Sequence, residues 1–194
     1  MLMAGVRFDH SSIYGNFFTP RFHVKYSPVD AISIRLSAGK GYLTVFGLAE
    51  YNYLLASGRE FQITGDGLKQ EEAWNYGMST AFYIPMFGKT LKLNAEYYYT
   101  DFRNQAVVDY DANKGLISIY NLIGKSYSHT FQIDASYPLL KGLEITAAYR
   151  LNDVKCTYDY GKTLKEKPLT SKYKALFTAS YKTPLGLWQW IRGI

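Results

Sequence analysis

The chain's 194 residues suffice for one sizeable domain or two small ones. Aromatics make up 17 % and tyrosine alone counts 19. No run in it approaches the roughly 18 consecutive apolar residues of a membrane helix, but a chain can still cross a bilayer with alternating strands.

Alternation with a period of two marks segment after segment as strand. Residues 4–9 set Val6 and Phe8 against Arg7 and Asp9. A loop over 11–19 is expected next, and Pro20 marks a bulge or strand start because proline cannot donate to a ladder. Residues 21–26 place Phe22, Val24 and Tyr26 opposite Arg21, His23 and Lys25. In 31–42, Ile32, Ile34, Leu36 and Ala38 share one face and Ser33, Arg35 and Ser37 the other. Further strands are read over 70–84, 91–103, 125–137, 143–152 and 172–182. The clearest sets Leu143, Ile145, Ala147, Tyr149 and Leu151 against Glu144, Thr146, Arg150 and Asn152.

Four strands run into a tyrosine and then a proline turn: Tyr26-Ser27-Pro28, Tyr83-Ile84-Pro85, Tyr137-Pro138 and Tyr181-Lys182-Thr183-Pro184, at intervals of 46 to 57 residues. The segments at the opposite strand ends, 43–67, 102–124 and 153–171, are long and polar. Short turns on one side and long loops on the other are what a membrane barrel requires. A soluble β-sandwich also alternates, so alternation alone does not choose between a polar lumen and solvent. Strand length and tyrosine placement favour the barrel, because soluble strands run about 5–6 residues and tyrosine suits the lipid–water boundary.

The net charge of +6 is spread along the chain, which argues against nucleic acid as partner. Its one basic region, 155–182, is interleaved with acids and reads as a solvated loop or as a contact for anionic headgroups or lipopolysaccharide. Cys156 is the single cysteine, so no internal disulfide forms; it is expected on a loop as a free thiol. His10 and His23 flank one hairpin, but their positions differ in parity and they cannot share a face. No phosphate-binding loop, zinc cysteine pair or convergent catalytic constellation is present, so neither enzymatic chemistry nor a cofactor is expected. The start, Met1-Leu2-Met3-Ala4-Gly5, lacks the features of a signal peptide, and Trp188-Gln189-Trp190 opens what reads as another strand. Both ends are expected to be cuts through something larger.

Several motifs together resemble the barrel of a TonB-dependent outer-membrane receptor of the kind common in Bacteroidota. They are Leu68-Lys69-Gln70-Glu71-Glu72-Ala73-Trp74-Asn75-Tyr76-Gly77, with glutamine where the family usually has proline; Glu96-Tyr97-Tyr98-Tyr99-Thr100-Asp101-Phe102-Arg103-Asn104-Gln105; Tyr120-Asn121-Leu122-Ile123-Gly124; and Ser37-Ala38-Gly39-Lys40-Gly41-Tyr42, followed by Leu43 where the family often has arginine. The resemblance implies an all-β chain: an antiparallel transmembrane barrel segment of about eight to nine long strands, cut from a barrel of roughly 22. The plug domain and final strands are expected to lie outside it. It implies a Gram-negative outer membrane, with lipid and lipopolysaccharide outside and a plug linked to the TonB energy-coupling complex. The cargo would be a scarce nutrient: a siderophore, vitamin or glycan. Tyr51, Tyr53, Tyr110, Tyr120, Tyr158 and Tyr160 then become ligand-stacking candidates, or else pack loop against loop. Arg35, Asn94, Glu96, Gln132, Asp134, Glu144 and Arg150 become lumen- or plug-facing candidates. The alternatives are a small passive eight-stranded pore or adhesion barrel, and a soluble carbohydrate-binding β-sandwich.

Overall fold

The computed structural model describes residues 1–64, 67–183 and 186–193. The main sheet has ten strands: β1 (Leu2–Ser11), β2 (Gly15–Val29), β3 (Ile32–Leu43), β5 (Glu71–Met86), β6 (Lys89–Asn104), β9 (Ser126–Leu140), β10 (Leu143–Tyr158), β12 (Tyr173–Thr183) and β13 (Gly186–Gly193), paired in that order, with β11 (Thr163–Glu166) a flap on β10. Every pairing is antiparallel. A second, three-stranded sheet, ordered β4 (Glu60–Ile63), β8 (Leu116–Asn121), β7 (Ala106–Asn113), lies at the long-loop end, with a short helix α1 (Gly47–Tyr51) and a 3-10 turn (Asn52–Ser57).

Register carries the sequence alternation across the whole sheet. Leu2, Val24, Leu36, Met78, Tyr97, Phe131, Leu151 and Tyr173 stand in one continuous rung. The adjacent rung reads Lys25, Arg35, Ser79, Glu96, Gln132, Arg150 and Lys174. A slip of one residue at any pairing would mix the two faces. The apolar face is uncovered: Leu36, Met78, Tyr97, Phe131 and Tyr149 are all more than 40 % exposed. A soluble sandwich would require a second sheet there, and among the described residues none lies there. None of the described helices is long and apolar enough to cross a membrane, which leaves strand crossing untouched.

Four sequence expectations need correction. The loop expected over 11–19 shrinks to a turn over 12–14, because β1 and β2 stay paired up to Ser11 opposite Gly15. The prolines do not form the turns. Pro28, Pro85 and Pro138 lie on strand ends, two or three residues before Asp30, Phe87 and Lys141, where the chain reverses. Pro85 and Pro138 sit just past the last pairing with one neighbour, Pro28 falls in the irregularity between the Tyr26 and Val29 pairs, and Pro20 precedes the first β2–β3 pair, so each missing N–H lies where a ladder stops or is interrupted. The fourth proline, Pro184, is outside the described residues. Cys156 is on strand β10 and 4 % exposed, not on a loop.

The fourth correction concerns the long segments, which are folded. β4 from the first pairs in parallel with β8 from the second, Glu60 with Leu116 through Ile63 with Ile119. The β7–β8 hairpin is covered on both faces. Ala106, Ile117 and Ile119 pack with Val45 and Leu54 on one side; Val107 and Tyr120 pack with Cys156 and Tyr158 on the other. Among the described residues, Ile117 and Ile119 are the most deeply buried large side chains. The hydrophobic core therefore sits in this cap rather than in the sheet. Burying two such isoleucines contributes roughly 1.5–3 kcal/mol each. Cys156 and Tyr158 have the parity of Arg150 and Asn152, so the cap rests on the polar face of the sheet.

Candidate functional site

Asp109 ties the cap together. It is 2 % exposed, and its Oδ1 accepts the N–H groups of Asp111 (3.2 Å) and Ala112 (3.1 Å). Its Oδ2 accepts the N–H of Asp159 (2.8 Å) and the Tyr120 hydroxyl (3.1 Å). Burial alone would raise this carboxyl, but the four hydrogen bonds outweigh it and hold the group below the usual aspartate value. One side chain thus joins β7, β8 and the β10–β11 turn. Sequence reading passed over it because an aspartate between Val108 and Tyr110, in a segment read as loop, resembles any loop acid.

The six tyrosine candidates separate by burial. Tyr120 is 3 % exposed, and its ring stacks on Tyr160 with centroids 4.5 Å apart and planes 18° from parallel. Tyr158 is 8 % exposed. Burial raises the Tyr158 hydroxyl to about 12 and raises that of Tyr120 too. Tyr53 and Tyr160 are exposed, while Tyr51 and Tyr110 are half-buried. The Tyr53 and Tyr110 hydroxyls lie 3.4 Å apart. Tyr51, Tyr53, Tyr110 and Tyr158 come together around a cleft of about 320 Å³, with Glu50, Glu71 and Lys167 in its lining. That volume is at the small end of ligand sites, which run roughly 300–1,000 Å³.

The polar candidates all lie on the face beneath the cap. Arg35, Glu96, Gln132 and Arg150 share one rung. One pair lower, the Asn94 amide donates to Asp134 Oδ2 at 2.7 Å. Glu144 is in register with Pro138 and Ser180 near the short-turn end. Gly77 shapes this face. A Cβ there would meet Tyr98 Cε1 at 2.5 Å and Ser37 Oγ at 2.6 Å, so only glycine lets the Tyr98 ring lie flat against the sheet. Asn94, Glu96 and Gln132 are partly buried; Arg35, Glu144 and Arg150 are exposed.

The opposite face changes character toward the cap. On β10 it is uncharged from Leu143 to Leu151, and charge begins at Asp153 and Lys155. At ~3.3 Å per step and a tilt of ~40°, Leu143 to Leu151 spans roughly 20 Å and Leu143 to the first charge at Asp153 roughly 25 Å, the height of a barrel's apolar band. Aromatics gather at that limit. Trp74 stacks on Tyr76 (6.1 Å), Tyr76 on Tyr99 (6.3 Å), and Tyr99 lies 4.9 Å from His129. Ion pairs follow: Lys40 with Glu72 at 2.8 Å, Arg103 with Asp101 at 3.1 Å and Lys155 with Asp153 at 3.4 Å. Among the described residues, no three His, Cys, Asp or Glu side chains are grouped to hold a metal ion; His10 is in register with Asn16, and His23 with Met3.

A two-faced antiparallel wall with an aromatic boundary and a folded cap on its polar side defines a segment of membrane β-barrel. The model of the family described as TonB dependent receptor-like, beta-barrel matches residues 1–193, and the chain belongs to that family. The fold is similar to the siderophore receptor PirA from Pseudomonas aeruginosa (TM-score 0.67, 13 % identity), covering 100 % of this chain and 36 % of that one. It is similar to the FrpB iron transporter from Neisseria meningitidis (TM-score 0.62, 15 % identity, 92 % and 26 % covered). A third likeness is to the ferric enterobactin receptor PfeA from Pseudomonas aeruginosa (TM-score 0.62, 15 % identity, 93 % and 28 % covered). At these identities the likeness is one of fold, and the chain spans only about a quarter to a third of the length of these structures. No curated protein matches it.

Proposed function

We propose that the chain is the wall and part of the outer mouth of a Gram-negative outer-membrane receptor for energy-coupled uptake of a scarce nutrient. One observation carries this reading: the unbroken apolar rung from Leu2 to Tyr173, with a polar rung directly behind it and the cap seated on the polar side. In the assembled receptor the apolar face meets lipid, and the aromatic boundary with Lys40, Arg103 and Lys155 meets lipopolysaccharide headgroups. Arg35, Glu96, Gln132, Arg150, Asn94, Asp134 and Glu144 line the lumen toward a plug, which the TonB complex pulls. The exposed Tyr53 and Tyr160, with Tyr51 and Tyr110, remain the ring-stacking candidates, whereas burial commits the Tyr120 and Tyr158 rings to packing and leaves Tyr158 only its hydroxyl at the cleft. A siderophore complex, a vitamin and a glycan all fit this reading.

The test compares which compounds are removed from growth medium by cells with and without the full-length gene, each with and without a proton uncoupler. A compound depleted only when the gene is present and the proton gradient intact supports the reading. Depletion that survives the uncoupler points to a passive pore, and identical media from both strains refute uptake altogether.

A further inference from the structure

The charged residues lining the tyrosine-walled cleft are two carboxylates, Glu50 and Glu71, and one ammonium, Lys167. The chain as a whole carries +6, so this cleft runs against the protein's own field. Each carboxylate is oriented through one oxygen. Glu71 Oε1 accepts the Ala106 N–H at 2.9 Å and Glu50 Oε1 accepts the Phe46 N–H at 3.2 Å. Tyr158 adds a second, independent observation. It lines the cleft and is 8 % exposed, yet its hydroxyl has no hydrogen-bond partner among the described residues. The residue is mostly buried while its phenol oxygen stays open at the cleft as an unpartnered acceptor, and a ligand donor arriving there would bond it. Tyrosine ring faces attract cations, most strongly where water is excluded.

We propose that this cleft takes the cationic end of a ligand, an ammonium or amine-bearing group, and turns anionic chelates away. The inference rests on the receptor reading given above and names the charge class that such a receptor selects. The ammonium N–H groups donate to Tyr158 Oη and to the carboxylates, while the rings of Tyr51, Tyr53 and Tyr110 pack around the alkyl carbons. An anionic ligand would bring like charge against Glu50 and Glu71, a repulsive element of the kind that sets specificity. Lys167 is exposed at the cleft and offsets part of the acidic field.

The test uses purified full-length receptor in detergent and two ferric probes of opposite charge: a linear trihydroxamate complex bearing a free ammonium group, and a tris-catecholate complex. Quenching of intrinsic fluorescence gives each Kd. The ammonium-bearing probe is expected to bind at least about tenfold more tightly. Combining Glu50→Gln with Glu71→Gln should erase most of that preference while the amide oxygens keep the Phe46 and Ala106 contacts. Lys167→Ala should tighten the cationic probe. Equal or tighter binding of the tris-catecholate overturns the proposal. So does an unchanged preference in the double variant, or no binding of the ammonium probe to receptor shown to be folded by heat-modifiable migration. These outcomes leave energy-coupled uptake standing, because that is read in cells through the proton gradient; uptake indifferent to the uncoupler would sink the receptor reading without altering either Kd.

Discussion

Replacing Asp109 with asparagine should open the cap and leave the wall intact. The amide oxygen can keep the two N–H groups now bound by Oδ1, those of Asp111 and Ala112. Its nitrogen replaces Oδ2 and faces the Asp159 N–H and the Tyr120 hydroxyl. The hydroxyl can rotate to accept, but the Asp159 amide is left without an acceptor. Losing one charge-assisted bond removes about 1.5–3 kcal/mol, and a buried orphaned donor costs a further ~1–3 kcal/mol. A net loss of roughly 3 kcal/mol corresponds to about a hundredfold rise in the opening equilibrium. Cys156 reports that opening, since it is 4 % exposed, packs against Tyr120 and Tyr158, and has its thiol raised by burial. Mass spectrometry of the peptide carrying Cys156 would follow maleimide labelling of full-length receptor in detergent. Labelling should accelerate by about two decades, while the unfolding temperature of the heat-modifiable barrel stays put. An unchanged labelling rate, or an equal drop in barrel stability, would refute Asp109 as the hub of a separately cooperating cap.

Other perturbations probe the wall and the cap's charge. Gly77→Val should force Tyr98 off the polar face and cost about 1–3 kcal/mol, visible as a lower unfolding temperature; an unchanged temperature would show that the ring gives way freely. Ala147→Arg places a charge on the apolar face midway along β10 and should cost about 2–4 kcal/mol. Thr146→Arg on the polar face should cost far less, and equal effects in urea titrations from lipid vesicles would contradict the assignment of faces. Acid should loosen the cap through Asp109. Its folded carboxyl lies below the unfolded value of about 3.9, so its stabilisation is complete above that pH and is lost as pH falls through the lowered folded value. Glu71 acts in the opposite sense, because burial raises its carboxyl and protonation relieves that penalty. Pepsin cleavage within 105–125 should therefore stay slow down to the unfolded aspartate value of about 3.9 and rise only at pH below it; a steep rise already above that value would assign the switch to another group.

The wall was legible because each strand declares its faces independently. The residues of 143–152 sort into two sets without reference to any neighbour, and register then aligns those sets across nine strands. The cap was not legible for the opposite reason. The parallel pairing of β4 with β8 joins residues more than fifty positions apart, and short polar segments give no local sign of such a partner. One signal was present: the nearly unbroken apolar run Leu116-Ile117-Ser118-Ile119-Tyr120 suits a strand buried on both faces, but it lay between turn residues in a stretch read as loop. The tyrosines show the same limit. Nothing local separates Tyr120 from Tyr53, yet one is in the core and the other in the open, a difference set only by tertiary packing. The prolines misled in a different way: a missing N–H forbids a ladder bond without demanding a reversal, so it marks where pairing stops.

The interlocking of the three insertions constrains how such a mouth can be diversified. Strand β4 closes on β8, the β7–β8 hairpin closes on β10, and Asp109 reaches the turn beyond it. Lengthening or swapping any one insertion strips a covering layer from the other two. A graft that alters ligand preference must therefore move residues 44–70, 105–125 and 156–168 as one cassette, and the barrel beneath can serve as a common chassis.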